Sequence, residues 1–181
     1  KGAQRADGGW GATAAGASDT PHTALALRAL LLAGEPASST ASKKAIAYLR
    51  ALQTDTGAFG LSASSPAADA GATAGAIPAL ALAGEALLDP VWMRGDWTAY
   101  DGLLALQAAD GSFTAAGGDP VSATAAGVAG LLGKGEAPRG RQMAAAQALK
   151  WLHTQQKPDG SFGPAKASAE GVRAISAAGE D

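Results

Sequence analysis

The sequence predicts an all-α protein built from about four copies of a two-helix unit of roughly 50 residues. Two periodic series carry that prediction. Four glycine-aromatic turns recur, at Asp7-Gly8-Gly9-Trp10-Gly11, Asp55-Thr56-Gly57-Ala58-Phe59-Gly60, Asp110-Gly111-Ser112-Phe113 and Asp159-Gly160-Ser161-Phe162-Gly163. Their aromatic residues lie 49, 54 and 49 positions apart, and each turn follows a glutamine: Gln4, Gln53, Gln107, and Gln155 with Gln156. Independently, Asp19, Asp69 and Asp119 are spaced by 50 residues, and each opens an Ala/Leu-rich run that ends at Gly34, Gly84 or Gly133.

The first helix of each unit follows its aspartate, over Thr20 to Ala33, Ala70 to Ala83 and Val121 to Leu132. Aspartate is a good helix start because its carboxylate accepts the unpaired amides of the first turn. Pro21 and Pro120 follow where a missing N–H costs nothing. The terminal glycines suit a left-handed C-cap. Leu25, Leu27, Leu30, Leu31 and Leu32 leave the first of these helices apolar nearly all round, the pattern of a buried inner ring.

The second helix of each unit is amphipathic, over Thr40 to Leu52, Asp96 to Leu106 and Gln142 to Gln155. Ile46, Leu49 and Leu52 form a stripe opposite Lys43, Lys44 and Arg50, which describes an outer ring. Asp96 is the expected cap of the second outer helix. The Asp-Gly-Ser-Phe turn then closes each outer helix: glycine takes the positive-φ position, the aromatic folds back as a core staple, and the glutamine bonds nearby backbone. A loop, Asp89 to Gly95, lengthens the middle spacing to 54 and carries Trp92. With Trp97 beside it, it reads either as a binding loop or as packing over a helix end.

Composition narrows the function classes. The chain is 47% hydrophobic but only 5% aromatic, with a net charge of −2. That charge offers no footprint for nucleic acid. The absence of cysteine excludes disulfides, a thiolate nucleophile and a Cys-ligated zinc. The most apolar stretch, Ala70 to Ala83, is too short to span a bilayer. Because the chain begins at Lys1 without methionine, a removed signal peptide or further upstream sequence is expected, and an extracellular or cell-surface location is favoured over the cytoplasm.

An outer helix, a Gln-x-x-Asp-Gly-Ser-Phe-Gly-like turn and an Asp-led inner helix together resemble the QW-type prenyltransferase/squalene-oxidase repeat. The resemblance covers nearly the whole chain and implies the α/α-toroid fold shared by terpenoid cyclases, protein prenyltransferases, complement thioester domains and cobalamin carriers. It implies a single domain over 1–181, a partial or small ring belonging to a longer protein. A closed ring in that superfamily takes more helix pairs than this chain holds, although a fourth inner segment opens over Ser168 to Ile175.

The catalytic signatures that the resemblance would imply are not matched. The sequence contains no Asp-x-Asp-Asp cluster, no Cys/His zinc set and no Cys-x-Glu-Gln core. The expected function is therefore a non-catalytic small-molecule-binding or interaction module, with no cofactor and an apolar, isoprenoid or corrinoid ligand. The alternatives are a cyclase- or prenyltransferase-like enzyme domain whose catalytic residues lie outside this chain, and a structural repeat for self-association or for docking the remaining repeats. Carried over by motif, Asp19, Asp69 and Asp119 line one rim of the inner ring, with His22 beside Asp19 and with Thr23, Thr73 and Thr124 a turn further in. Each aspartate is also read as a helix cap, and as a cap alone Asp69 should tolerate asparagine.

Overall fold

The computed structural model describes residues 3–116, 118–133, 137–163 and 165–177, and of residues 165, 166, 168, 173 and 177 the backbone alone. Its elements run α1 (Thr20–Leu32), α2 (Thr40–Ala51), β1 (Gly60–Ser62), β2 (Ser65–Ala68), α3 (Ala70–Leu82), α4 (Ala99–Ala105), α5 (Pro120–Leu132), α6 (Arg139–Gln155) and α7 (Ala165–Ala177), with a 3-10 turn at Pro90–Trp92. The inner helices pack in sequence, α1 on α3, α3 on α5 and α5 on α7. Outside them α2 leans on α1, α4 on α3 and α5, and α6 on α5 and α7. The expected two-ring helical fold is present, and its fourth inner helix is α7. The side chains of Ser168 and Arg173 in that expected segment lie outside the described residues.

Local chemistry sets the ends of the inner helices as predicted. The carboxylates of Asp19, Asp69 and Asp119 accept the N–H three residues on, from His22, Ala72 and Ser122, at 2.7–2.8 Å. Gly34 and Gly84 take φ of +87° and +84° just past α1 and α3. There Glu35 N donates back to Leu30 O and Glu85 N to Leu80 O, closing Schellman motifs.

One glutamine contact is repeated three times along the array. Gln4 Nε2 donates to Gly8 O in its own turn and to Ala41 O on α2, both at 2.9 Å. Gln53 does the same toward Gly57 O and Trp92 O at 3.0 and 2.7 Å, and Gln107 toward Gly111 O and Ala144 O at 3.0 and 2.8 Å. The turn glycine lies against the same helix as the glutamine in the first and third turns, and in the second against Thr98 at the start of α4 while Gln53 reaches the 3-10 turn. A Cβ on Gly8, Gly57 or Gly111 would stand 2.5, 2.2 or 2.5 Å from the carbonyl oxygen of Lys44, Thr98 or Gln147. Positive φ and this close approach together require glycine there.

The aromatics of the turns are the expected core staples: Phe59 and Phe113 are fully buried, Phe162 and Trp10 nearly so. The ring of Phe113 lies so close to Gly127 of α5 that a Cβ there would come within 2.5 Å of it, and Phe162 meets Gly171 of α7 in the same way at 2.9 Å. The abundance of alanine and glycine thus lets whole aromatic rings lie against helix backbone.

Three expectations need correction. Asp96 does not cap the second outer helix. Residues 94–97 close a tight hairpin, with Arg94 and Trp97 exchanging both backbone bonds and Gly95 at φ +58°, so Asp96 belongs to that turn. Thr98 caps α4 instead, in a capping box with Asp101. Second, β1 and β2 form an antiparallel hairpin that the sequence did not announce. Its small residues carry no strand pattern, and it is held by Asp69 N donating to Phe59 O and by Thr20 Oγ1 donating to Gly60 O at 2.6 Å. Third, α1 is not buried all round: Leu27 is fully buried, but Leu25 and Leu32 are 63% and 73% exposed.

Of the two readings of the loop at 89–95, packing accounts for Trp92. It is fully buried, lies under the Arg50 guanidinium at 4.6 Å, and donates Nε1–H to Glu85 at 2.8 Å. Trp97 remains 46% exposed. On α2, Tyr48 is buried with its hydroxyl lacking any partner among the described residues. Burial first, then the charges of Asp7 and Asp19, push its ionisation up to about 12.

Two outcomes follow from this packing. Phe113→Ala should lower unfolding free energy by roughly 3–5 kcal/mol in a denaturant titration, and a loss under about 1 would contradict its role as a staple. The folded state holds the Tyr48 proton more tightly than the unfolded chain, where tyrosine ionises near pH 10. Stability from this group is therefore complete below pH 10 and is lost as pH rises toward 12. A Tyr48→Phe variant should show a flatter decline over that window in thermal melts, and an identical decline would count against the assignment.

Candidate functional site

The N-terminal ends of the four inner helices converge on a cavity of about 520 Å³. Its walls are small and apolar: Ala115, Ala116, Ala123, Ala126 and Ala167, with Gly71, Gly118 and Leu61. Its polar groups are His22, Asp69, Asp119, Ser122 and Glu170. The mouth exists because the inner helices α1, α3 and α5 are each capped by an aspartate, so equivalent first turns meet at one end of the ring. His22 and Ser122 occupy the same place in their repeats, three residues after the capping aspartate.

Asp19 stands behind His22 rather than in the cavity wall. The His22 Nδ1 lies 2.8 Å from both Asp19 oxygens, in an ion-pair geometry. A carboxylate only accepts, so Nδ1 carries the proton and the imidazole is held with its other nitrogen away from Asp19. His22 is 44% exposed and, among the described residues, is the one basic side chain on a rim that also carries Asp69, Asp119 and Glu170.

Asp69 is more than a cap. It is 7% exposed; its Oδ1 accepts from Ala72 N at 2.7 Å and its Oδ2 from Ala116 N at 2.6 Å. The second bond ties α3 to the loop before α5, which forms part of the cavity wall. Asp119 by contrast is exposed and, among the described residues, bonds only as the cap of α5, through Ser122 N at 2.8 Å.

Thr23, Thr73 and Thr124 are fully buried and turn away from the mouth, contrary to the expected rim position. Their Oγ1 atoms accept the N–H of Trp10, Phe59 and Phe113 at 2.9, 2.9 and 3.0 Å, pinning each aromatic turn to its inner helix. A buried hydroxyl with its bonding met this way has nothing to offer a ligand, so the polar grip expected for a corrin loses these three groups. Sequence reasoning also missed Ser122, Glu170 and the Ala115–Ala116 wall. The shared Asp+3 position of His22 and Ser122 was a readable signal for Ser122; Glu170 and the alanines carried none.

Among the described residues no group of three or more His, Asp or Glu side chains comes together to hold a metal ion, and no helix is long and apolar enough to cross a membrane. The two-oxygen engagement of Asp69 reverses the expectation that asparagine would replace it freely. An asparagine at that position could accept from only one of the two amides and would set an N–H against the other. Asp69→Asn should therefore cost about 1–3 kcal/mol, while Asp119→Asn should cost a few tenths at most, since asparagine caps equally well. Equal costs in urea unfolding would show that the Ala116 bond contributes nothing.

A profile of the prenyltransferase alpha-alpha toroid domain matches residues 37–177. Among solved structures, a protein from Actinoplanes superposes with a TM-score of 0.72 at 22% identity, covering 95% of this chain and 55% of that one. A type II terpene cyclase from Scytonema, in complex with its substrate geranylgeranyl dihydroxybenzoate, gives 0.72 at 20% identity over 94% of this chain and 52% of the cyclase. The unliganded form of that cyclase matches equally, at 0.72, 20%, 94% and 52%. The chain thus spans about half the length of the solved structures it matches. No curated protein matches it. With the profile covering most of its length and the two helical rings in its structure, the chain belongs to the prenyltransferase alpha-alpha toroid domain family.

Proposed function

We propose that this domain binds an uncharged isoprenoid in the cavity at the N-terminal ends of its inner helices, as a terpene cyclase-like enclosure rather than as the source of the catalytic group. The observation that carries the reading is the character of that cavity. A space of about 520 Å³, open to solvent and walled mainly by alanine and glycine with Pro21 and Leu61, offers a hydrocarbon chain a largely apolar surface beside the polar groups of His22, Asp69, Asp119, Ser122 and Glu170.

The rim argues for the head group. Among the described residues, the carboxylates of Asp69 and Asp119 face the cavity with His22 as the one basic side chain beside them, and the N-termini of α1, α3 and α5, which would otherwise attract an anion, already have aspartate caps. A diphosphate would meet like charge there, whereas an alcohol or a bare hydrocarbon would not. The Scytonema cyclase, in complex with geranylgeranyl dihydroxybenzoate, supports an isoprenoid chain as the ligand class; the uncharged head rests on the rim charges alone, since that benzoate is itself an anion.

Binding is favoured over catalysis by these residues on chemical grounds. Protonating an alkene takes a carboxylic acid kept neutral and free to donate. The buried carboxylate of the cavity, Asp69, has both oxygens occupied as acceptors. A cyclase or prenyltransferase activity would draw its reacting groups from outside these residues.

The test is a titration followed by tryptophan fluorescence, with geranylgeraniol and geranylgeranyl diphosphate in parallel. Geranylgeraniol should bind saturably and the diphosphate about tenfold or more weakly, a difference of at least ~1.4 kcal/mol. Ala126→Phe, which fills the cavity from α5, should abolish the binding while leaving the fold intact by circular dichroism. Tighter binding of the diphosphate, or unaltered binding in Ala126→Phe, would refute the reading.

A further inference from the structure

Histidine stands at a position that the other Asp-capped inner helices fill with quite different residues. Three places after the capping aspartate, α1 carries His22, α3 carries Ala72 and α5 carries Ser122. All three aspartates cap through the N–H of that residue, at 2.7–2.8 Å. Alanine and serine serve the cap as well as histidine does, so the imidazole is not needed to start the helix.

What the imidazole adds is a directed nitrogen on the cavity rim. Its Nδ1 lies 2.8 Å from each Asp19 oxygen, and Asp19 Oδ1 also accepts the His22 backbone N–H at 2.8 Å. One carboxylate thus grips both the backbone and the ring of the same residue. With the proton held on Nδ1, the Nε2 of the neutral ring can only accept. Among the described residues Nε2 makes no hydrogen bond, and His22 is 44% exposed as part of the cavity lining. Asp69, the buried carboxylate of the same lining, already has both oxygens taken by Ala72 N and Ala116 N.

We infer that His22 Nε2 accepts the hydroxyl of a prenyl alcohol, so that the head group of the ligand is a hydrogen-bond donor. This rests on the isoprenoid reading of the cavity and narrows it. A hydrocarbon has no polar hydrogen to give, and an ether or ester would set its lone pairs against that of Nε2. Asp19 is the positioning residue: without its second oxygen the proton is no longer confined to Nδ1, and the rim loses its fixed acceptor. Ser122 and the second oxygen of Asp119 could also take a hydroxyl, so substitution at His22 itself decides the assignment.

Geranylgeraniol and its methyl ether share chain and oxygen and differ in the O–H. Titrated into the chain, the alcohol should bind more tightly by up to about tenfold, the worth of one hydrogen bond. His22→Phe keeps a planar ring on the rim without an acceptor, and Asp19 still caps α1. It should bring the alcohol down to the ether and leave the affinity for the ether as it was. In ¹⁵N spectra the His22 ring, identified by the signals lost in His22→Phe, should show Nδ1 protonated and Nε2 bare, with Nε2 shifting when the alcohol is added. Asp19→Asn still caps the helix, but it should spread the proton onto Nε2 and reduce the preference for the alcohol. A full preference retained in that variant would overturn the positioning role of Asp19. Equal binding of alcohol and ether, a preference that survives His22→Phe, or an Nε2 already protonated in the parent chain overturns the inference while the isoprenoid reading stands. Binding of neither ligand overturns both.

Discussion

A single side-chain amide organises this molecule. Each glutamine of the first three glycine-aromatic turns gives one N–H to its own turn and the other to the next outer element, so a local turn becomes a joint between repeats. Glutamine suits the task because its planar amide carries two donors at fixed angles. The contact also dictates what surrounds it. The turn must contain glycine, both for positive φ and because a carbonyl oxygen occupies the space of a Cβ. Sharing a helix carbonyl costs little, because the oxygen has a second lone pair.

The threonine hydroxyls do the complementary work on the inner side. Each accepts the N–H of a turn aromatic and holds its backbone against the inner helix, while the ring covers that helix where residues are small. Every one of these repeats is thereby tied inward by threonine and outward by glutamine. The ring therefore needs few bulky residues, which explains a core with 5% aromatics over the whole chain. It also explains why small residues are left over to line a cavity. Where four inner helix ends converge, alanine and glycine leave space that leucine would fill.

The site shows where motif reasoning reaches its limit. Asp19, Asp69 and Asp119 look identical in sequence, yet they differ in work: one orients His22, one clamps the wall of the cavity through Ala116, and one caps α5 alone. The difference lies in what another part of the chain brings alongside. The loop that carries Ala115 and Ala116 reaches Asp69, and among the described residues nothing equivalent reaches Asp119. Likewise the threonines, regular enough to suggest a functional series, owe their regularity to packing. A repeat that must bury the same turn each time repeats its structural residues most faithfully, so periodicity by itself selects for scaffold.

What the sequence by itself determined is the class of fold, the period, and the starts and glycine stops of the inner helices α1, α3 and α5. These depend on neighbours within a few residues: an aspartate caps the amide three positions on, and a glycine takes positive φ at little cost. The 54-residue spacing located an insertion, and the absence of cysteine and of an acidic cluster bounded the chemistry. Tertiary structure alone decided the rest. It decided that Thr98 rather than Asp96 caps α4, because the hairpin at 94–97 takes Asp96 first. It decided that 60–68 is a hairpin, since its residues have no strand preference and their bonds come from Thr20 and the neighbouring turn. It decided that Leu25 and Leu32 face outward, because whether an apolar side chain is covered depends on which helix stands beside it. The cavity belongs to the same group, for a space between four helix ends is a property of their arrangement and is encoded in no one of them.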